Sequence, residues 1–210
     1  MKIQTVTTQN IGRICRELAA KDAHLKRVVD TYGTPPLWDR EPGFATLLYI
    51  ILEQQVSLAS AKACFNKLAA RVGDVSPQNL LDSTDTELKR DGFSRQKTAY
   101  ARHLAEAILE RRIDLDALHT LPDDDVKDEL IKLKGVGTWT AECYLLMVLL
   151  RPDVMPRGDI ALHAAYHKLT GAERRPTSDE FIEIAVKWSP YRSVAARLLW
   201  HFYLSEKAKK

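Results

Sequence analysis

The chain has 210 residues, of which 45% are hydrophobic and 28% charged, with a formal net charge of +3. This is the profile of an ordinary soluble globular protein, long enough for one large domain or two small lobes. The longest apolar run, Tyr144–Leu150, is far too short to span a bilayer, so we expect no membrane partner. The small positive excess permits a nucleic-acid partner without arguing strongly for one.

The cysteines and the N-terminus bear on the compartment. Cys15, Cys64 and Cys143 are far apart and odd in number, which argues against a disulfide framework or a cysteine metal cluster. Residues 1–10 are polar and lack the apolar segment of a secretory signal. We therefore expect an intracellular protein, in the cytoplasm or nucleoid of a prokaryote or the nucleus of a eukaryote.

Helical periodicity begins near the N-terminus and continues after a loop at residues 34–42. Phe44–Glu53 is apolar nearly all round, which predicts a buried central helix. Gln54–Val56 interrupts that pattern. Ser57 is a suitable N-cap for the next helix, which we expect to run to about Arg71.

The rest of the chain continues in the same way, with Ser76–Pro77 as a helix start and a glycine turn near residue 135. Further helices are predicted over residues 85–90, 94–112, 138–150, 159–169, 178–188 and 191–204, and one from residue 123 into the glycine turn. Residues 205–210 are expected to fray. Because no strand-like alternation is found, the fold class is all-α, with about ten to twelve helices.

The glycine turn lies in residues 133–141, with the sequence LKGVGTWTA. Its glycines permit positive φ and close approach by a ligand. The N–H groups of the turn and of the next helix start favour a phosphate, and Lys132 and Lys134 add positive charge. Such a site holds the DNA backbone and does not read bases. A lone glycine pair of this kind also fits a plain corner between two helices.

Asp159 follows a proline-bracketed loop and opens a helix. A helix N-cap is its simplest interpretation. The helix dipole and N–H donors would also keep this carboxylate ionised. An ionised carboxylate can also stabilise a positive charge that develops during a reaction, and it can orient water. The structural and catalytic interpretations are compatible.

Together, residues 133–141 and Asp159 resemble the helix–hairpin–helix, Gly/Pro-rich loop and aspartate signature of base-excision DNA glycosylases. Two further segments, IILEQQVS at 50–57 and WSPYRS at 188–193, resemble the 3-methyladenine DNA glycosylase II family. The resemblance covers residues from about 43 to 205 in the right order.

The resemblance implies two helical lobes with the active site in the cleft between them. One lobe would comprise residues 1–42 with 156–210, and the other residues 43–155, with the hairpin at about 123–150. It also implies a monomeric, monofunctional enzyme that removes alkylated purines of the 3-methyladenine type from duplex DNA during base excision repair.

Roles for individual residues follow from the same resemblance. Asp159 would be catalytic, Trp139 and Tyr191 would line the base pocket, and Gln55 would wedge into the gap left by the flipped nucleotide. The expected contacts to the DNA backbone come from Lys134, Gly135, Val136, Gly137 and Thr138. Without the resemblance, the two aromatic residues are equally well explained as core residues, and Gln55 as an ordinary polar loop residue.

Departures from the family pattern also carry information. Trp139 stands where bifunctional members have a Schiff-base lysine, so we expect no β-lyase activity. Lys134 stands where proline is common, and Cys143 where another pocket aromatic is common. Since no cysteine follows Cys143, the iron–sulfur cluster of other members cannot form.

No cofactor is required by this hypothesis, although the backbone carbonyls of Ile131, Leu133 and Val136 are candidates to hold Na⁺ or K⁺. His163 and His167, spaced i, i+4, are a weaker candidate for zinc, because the glutamate of a metalloprotease motif is absent. Two alternative functions stay open: a non-catalytic DNA-binding module, and a glycosylase for oxidised or mismatched bases.

Overall fold

The computed structural model describes residues 5–209, and within them the all-α prediction is confirmed. These residues form twelve α-helices and two short 3-10 helices, and they contain no strand. The α-helices are α1 (Ile11–Lys21), α2 (Ala23–Tyr32), α3 (Phe44–Glu53), α4 (Leu58–Val72), α5 (Pro77–Leu81), α6 (Asp85–Asp91), α7 (Arg95–Leu109), α8 (Asp123–Ile131), α9 (Thr138–Met147), α10 (Ile160–Thr170), α11 (Ser178–Ala185) and α12 (Arg192–Ala208). The 3-10 helices are Ala117–Thr120 and Val186–Trp188.

Helix starts follow the side-chain chemistry that predicted them. Ser57 and Ser76 each accept a hydrogen bond from the backbone N–H three residues later, and Pro77 occupies the first helical position of α5. Asp159 does the same for α10, where its side chain accepts from Leu162 N. Each cap satisfies one of the N–H groups that a helix start leaves without an intrahelical partner.

Helix ends depart further from the prediction. The helix after Ser94 ends at Leu109 and not at Arg112, and Arg111 has φ of 56°. The helix from Thr138 ends at Met147, and Leu150 has φ of 53°. The periodicity of apolar residues does not reveal residues with left-handed backbone conformation, because the helical spacing of apolar side chains can continue past them in the sequence.

The C-terminal helix is longer than predicted. The expectation that the chain frays from residue 205 is wrong as far as Ala208, because α12 continues there. Glu206 accepts hydrogen bonds from Tyr32, Lys168 and Lys209, which ties this last turn to α2 and α10. The last residue of the expected frayed tail, and the first four of the polar N-terminal segment, lie outside the described residues.

Two compact units make up the chain: Met1–Asp39 with Leu145–Lys210, and Arg40–Tyr144. The second boundary between these units falls within α9. The predicted division into lobes at residues 155 and 156 stays a prediction. Within residues 5–209, no helix combines the length and the apolarity needed to cross a lipid bilayer.

The first unit is built on α1, α2, α10, α11 and α12. Its core contains an aromatic cluster in which the rings of Phe181 and Trp188 lie 6.2 Å apart and those of Tyr166 and Phe181 5.7 Å apart. Arg197 is fully buried beside this apolar interior. Its guanidinium donates to the carbonyls of Leu37, Leu146 and Ser193, and burial lowers its pKa to about 10.

The second unit is organised around α3, which packs against α4 and α7. The prediction of a buried central helix is confirmed by five residues of α3 that have no exposed surface: Leu47, Leu48, Ile50, Ile51 and Leu52. Tyr49 is only half-buried; its ring lies 5.0 Å from that of Phe65 and 5.0 Å from the Arg40 guanidinium carbon. Because α3 is held on several sides, its C-terminal end is a firm base for the segment that follows.

Candidate active site

The turn between α8 and α9 is closed by its own backbone. Leu133 N donates to Leu130 O at 3.1 Å, and Val136 N donates to Leu133 O at 3.0 Å. The side chains of Leu133 and Val136 are buried, so they fix the turn on the second unit. The N–H of Val136 is therefore already used within the turn, although this residue was expected to contact the DNA backbone.

Two side chains of α7 hold the turn from one side. The backbone N–H of Lys134 donates to His103 Nδ1 at 3.2 Å, which requires the histidine proton to be on Nε2. Tyr100 lies against Gly135: a Cβ added at this glycine would be 2.2 Å from the tyrosine ring. Gly135 also has φ of +88°, a conformation that other residues rarely adopt.

Gly137 differs from Gly135 on both counts. It lacks a positive φ, and a Cβ added there would meet nothing within 4 Å. Lys134, Gly137 and Thr138 are all exposed. Among the described residues, the N–H groups of Gly137 and of Thr138, the first residue of α9, donate to no backbone carbonyl. This part of the turn has open donors and open space, as binding of a phosphate oxygen requires.

Gln55 lies in the short segment between α3 and α4. It has φ of 57° and is exposed. A non-glycine residue in the left-handed region is strained, and such strain is typical of functional positions. The next apolar side chains, Val56 and Leu58, are also exposed, at 44% and 56%. An exposed polar tip beside apolar side chains suits insertion between bases.

Asp159 is the N-cap of α10 in the first unit, and its side chain is buried. Its Oδ1 accepts from Leu162 N at 2.9 Å and from the indole Nε1 of Trp200 at 3.3 Å. Trp200 is held in turn by Trp38, with ring centroids 6.5 Å apart. The sequence analysis missed Trp200, because its distance of 41 residues from Asp159 leaves no periodic signal. The residue after the aspartate, Ile160, is 73% exposed.

Tyr191 is half-buried at the start of α12, and Arg192 beside it is strongly anchored. Asp153 accepts from Arg192 Nε at 2.9 Å, from Arg192 Nη2 at 3.0 Å and from Ser189 Oγ at 2.9 Å. Burial acts to raise the pKa of Asp153, but these hydrogen bonds outweigh it and lower the pKa.

Trp139 and Cys143 lie on α9, one turn apart. Trp139 is half-buried, and Cys143 is buried. Cys143 is not in a disulfide. Trp139 belongs to the second unit, whereas Asp159 and Tyr191 belong to the first. That these three residues act on one nucleotide therefore stays a prediction.

The zinc alternative lacks a complete ligand set. No group of three or more His, Cys, Asp or Glu side chains within residues 5–209 is arranged to hold a metal ion. The ring of His163 packs against Phe181, with centroids 4.7 Å apart, and burial lowers the pKa of His163. This environment favours a neutral, packed histidine.

A surface cavity of about 240 Å³ lies elsewhere in the first unit, between α2, α10 and α12. It contains none of the residues predicted for the site. Its lysine, Lys168, is paired with Glu206 at 2.6 Å, and Arg27 donates to the Leu169 carbonyl at 2.6 Å. The charged side chains of Lys168 and Arg27 thus connect α2, α10 and α12 to one another.

A helical fold with a glycine hairpin, followed by an aspartate at a helix N-cap, defines the class of base-excision helix–hairpin–helix proteins. Residues 48–190 match the family described as "HhH-GPD superfamily base excision DNA repair protein". The chain belongs to this superfamily.

Several relatives are similar over most of the chain. The putative DNA-3-methyladenine glycosylase YfjP of Bacillus subtilis is 26% identical, over 84% of this chain and 69% of its own. DNA-3-methyladenine glycosylase 1 of Schizosaccharomyces pombe is 27% identical, over 87% of this chain and 83% of its own. The structure of that yeast's 3-methyladenine DNA glycosylase Mag1 in complex with abasic DNA superposes with a TM-score of 0.82 and 25% identity, covering 90% of this chain and 95% of the other.

Proposed function

We propose that the protein is a monofunctional DNA glycosylase that hydrolyses the N-glycosidic bond of alkylated purines, of the 3-methyladenine type, in duplex DNA. The observation that carries this proposal is the environment of Asp159, a buried helix-capping carboxylate downstream of a glycine hairpin with open N–H donors. The named relatives support the alkylated substrate.

The chemistry follows from a carboxylate held in place. As the C1′–N bond breaks, its electrons leave with the base and the sugar becomes oxocarbenium-like. The charge of Asp159 stabilises that cation, and the same carboxylate accepts a proton as water adds its oxygen to C1′. Hydrogen bonds from Leu162 N and the Trp200 indole orient the carboxylate, so little reorganisation is needed during the reaction.

DNA is held on its backbone and opened at one nucleotide. The N–H groups of Gly137 and Thr138, with the charge of Lys134, receive phosphate oxygens at the hairpin. Gln55 enters the gap left by the flipped nucleotide and can hydrogen-bond the orphaned base. Its exposure and left-handed backbone support this role.

Trp139 and Tyr191 receive the flipped base. Stacking on aromatic faces favours an electron-deficient alkylated purine, and a cationic base gains a cation–π contribution. Cys143 supplies no third aromatic face. We therefore expect a moderate preference for cationic over neutral alkylated bases.

A monovalent cation is compatible with the hairpin. The Leu133 carbonyl accepts one hydrogen bond, from Val136 N at 3.0 Å, and a carbonyl oxygen has a second lone pair. With the carbonyls of Ile131 and Val136, it would offer the oxygen ligands that hard cations prefer. When bound, such a cation would add positive charge near the phosphate and stiffen the turn.

The test is release of bases from alkylated duplex DNA, followed by chromatography. We expect Asp159→Asn to lower the excision rate by more than about a hundredfold while lesion-DNA binding is kept. Asparagine is also a good N-cap, so the helix start survives. Asp22→Asn is the matched control, since Asp22 also caps a helix and accepts from an indole N–H, that of Trp188.

Other outcomes would identify other functions. Wild-type protein that retards DNA but releases no base would be a binding module. Release of oxidised or mismatched bases would identify a different glycosylase class. Excision retained by Asp159→Asn would move catalysis to another residue, and a covalent adduct trapped by borohydride would contradict the monofunctional mechanism.

A further inference from the structure

Gln54, one residue before Gln55, is bound to the hairpin through its side chain. Its Nε2 donates to the carbonyl of Gly135 at 2.8 Å and to Thr140 Oγ1 at 2.8 Å. Because a carbonyl can only accept, the amide nitrogen must face the hairpin. One side-chain nitrogen thus joins the glycine turn and the first turn of α9 to the end of α3.

The end of α3 is fixed in other ways as well. Lys97 Nζ donates to the Leu52 carbonyl at 2.5 Å. Glu53 accepts two hydrogen bonds from Arg40, at 2.7 and 2.9 Å, and its side chain is 7% exposed. From Gln55 onward the segment is exposed. The anchored part of the chain therefore ends at Gln54, directly before the exposed Gln55.

We propose that Gln54 is a positioning residue that sets the place of Gln55 relative to the hairpin. This inference rests on the proposed function, in which the hairpin holds the DNA backbone and Gln55 enters the gap. If the hairpin and Gln55 moved independently, the gap in a DNA strand bound at the hairpin would lie at varying distances from Gln55. The side chain of Gln54 limits this independent movement, because it is hydrogen-bonded to the hairpin. The planar peptide bond between Gln54 and Gln55 passes the restraint on to the backbone of Gln55.

A binding experiment that needs no catalysis tests the proposal. The probe is a duplex with a tetrahydrofuran abasic analogue and 2-aminopurine opposite it, so that fluorescence reports insertion at the orphaned base. We expect Gln54→Ala to lower affinity for this duplex about tenfold and to lose the fluorescence change, as Gln55→Ala does. Affinity for undamaged duplex should stay within about twofold of wild type, because the hairpin donors remain.

Further variants separate positioning from a general effect on folding. Thr140→Val removes one of the two acceptors without changing side-chain volume, and it should give a smaller loss in the same direction. Gln78→Ala is the matched control, since this exposed glutamine donates to Asp82, the residue directly after its helix α5, at 2.9 Å. It should behave as wild type. If Gln54→Ala is unstable, Thr140→Val still tests the proposal.

The double variant Gln54→Ala/Gln55→Ala provides the decisive comparison. If Gln54 acts through Gln55, the double variant should bind no more weakly than Gln55→Ala alone. Losses that multiply, or wild-type fluorescence in Gln54→Ala, would overturn the proposal. Should wild type release no base yet show this coupling, the proposed function would fail while the positioning role stands.

Discussion

At Gly135 the hairpin leaves no room for a side chain, whereas at Gly137 space is open. The two glycines look alike in sequence, but they meet different demands. Gly135 is required by the Tyr100 ring and by its own positive φ, so it serves the folded state. Gly137 has neither constraint, so the free protein could accept a side chain there. Its lack of a Cβ matters when something approaches from outside.

This difference predicts opposite outcomes for one substitution. Gly135→Ala should lower the free energy of unfolding by about 2–4 kcal/mol, from strain at positive φ and overpacking against Tyr100. Gly137→Ala should change it by less than about 1 kcal/mol but weaken DNA binding, because the methyl group occupies the space open to phosphate. Urea unfolding and DNA binding measured on both variants check this; equal stability losses would contradict it.

Asp22 repeats the local arrangement of Asp159 but serves stability. It caps α2, accepts from Trp188 Nε1 at 2.9 Å, and pairs with Lys187 at 2.8 Å. Burial acts to raise the pKa of Asp22, but hydrogen bonds from Lys187, Trp188 and Leu25 N outweigh it and lower the pKa. Since the folded-state pKa is lowered, this carboxylate stabilises the fold above its unfolded-state pKa.

The stability of Asp22→Asn measured over a range of pH tests whether the folded-state pKa of Asp22 is lowered. Near pH 7 the variant should be less stable than wild type by about 1–3 kcal/mol. The difference should shrink as pH falls below about 4 and through the folded-state pKa, where wild-type Asp22 becomes protonated. Urea unfolding at several pH values measures it. A difference that grew on acidification would show that the folded-state pKa is raised.

Among the elements, the segment between α3 and α4 combines a firm base with a strained tip. Gln54 ends the anchored part, and Gln55 has φ of 57°. We expect Gln55→Gly to be more stable than Gln55→Ala by about 1 kcal/mol, because glycine accepts the left-handed region without strain. Both variants should lose insertion into DNA. Thermal unfolding decides the order of stability; an alanine variant more stable than the glycine variant would argue that the strain is absent.

Helix starts and helix ends differ in how far local sequence determines them. Ser57, Ser76 and Asp159 are caps that act on backbone groups three residues away, so they can be recognised from sequence. The end of α12 depends on contacts of Glu206 with α2 and α10, which are distant in sequence. Only the folded chain brings those partners together.

At the scale of the whole molecule, the first unit joins the two ends of the chain, and Arg197 is buried where they meet. Its guanidinium satisfies carbonyls at Leu37, Leu146 and Ser193. Arg197→Met should lower the free energy of unfolding by about 3 kcal/mol or more, because buried carbonyls lose their donors. Arg112→Met, at an exposed ion pair with Glu110, should cost less than about 1 kcal/mol. Denaturant unfolding compares them; equal losses would refute a structural role for Arg197.

The sequence by itself determined the helical class, the buried α3 and most helix starts. It also carries the resemblance from which the site roles of residues such as Asp159 and Gln55 were predicted. These properties rest on periodicity, capping and short motifs, which act over a few residues. Only the tertiary structure decided that Trp200 holds Asp159, that Tyr100 excludes a side chain at Gly135, and that Gln54 ties the end of α3 to the hairpin. These contacts join residues 35 to 81 positions apart, where no local pattern connects the partners and only packing brings them within reach.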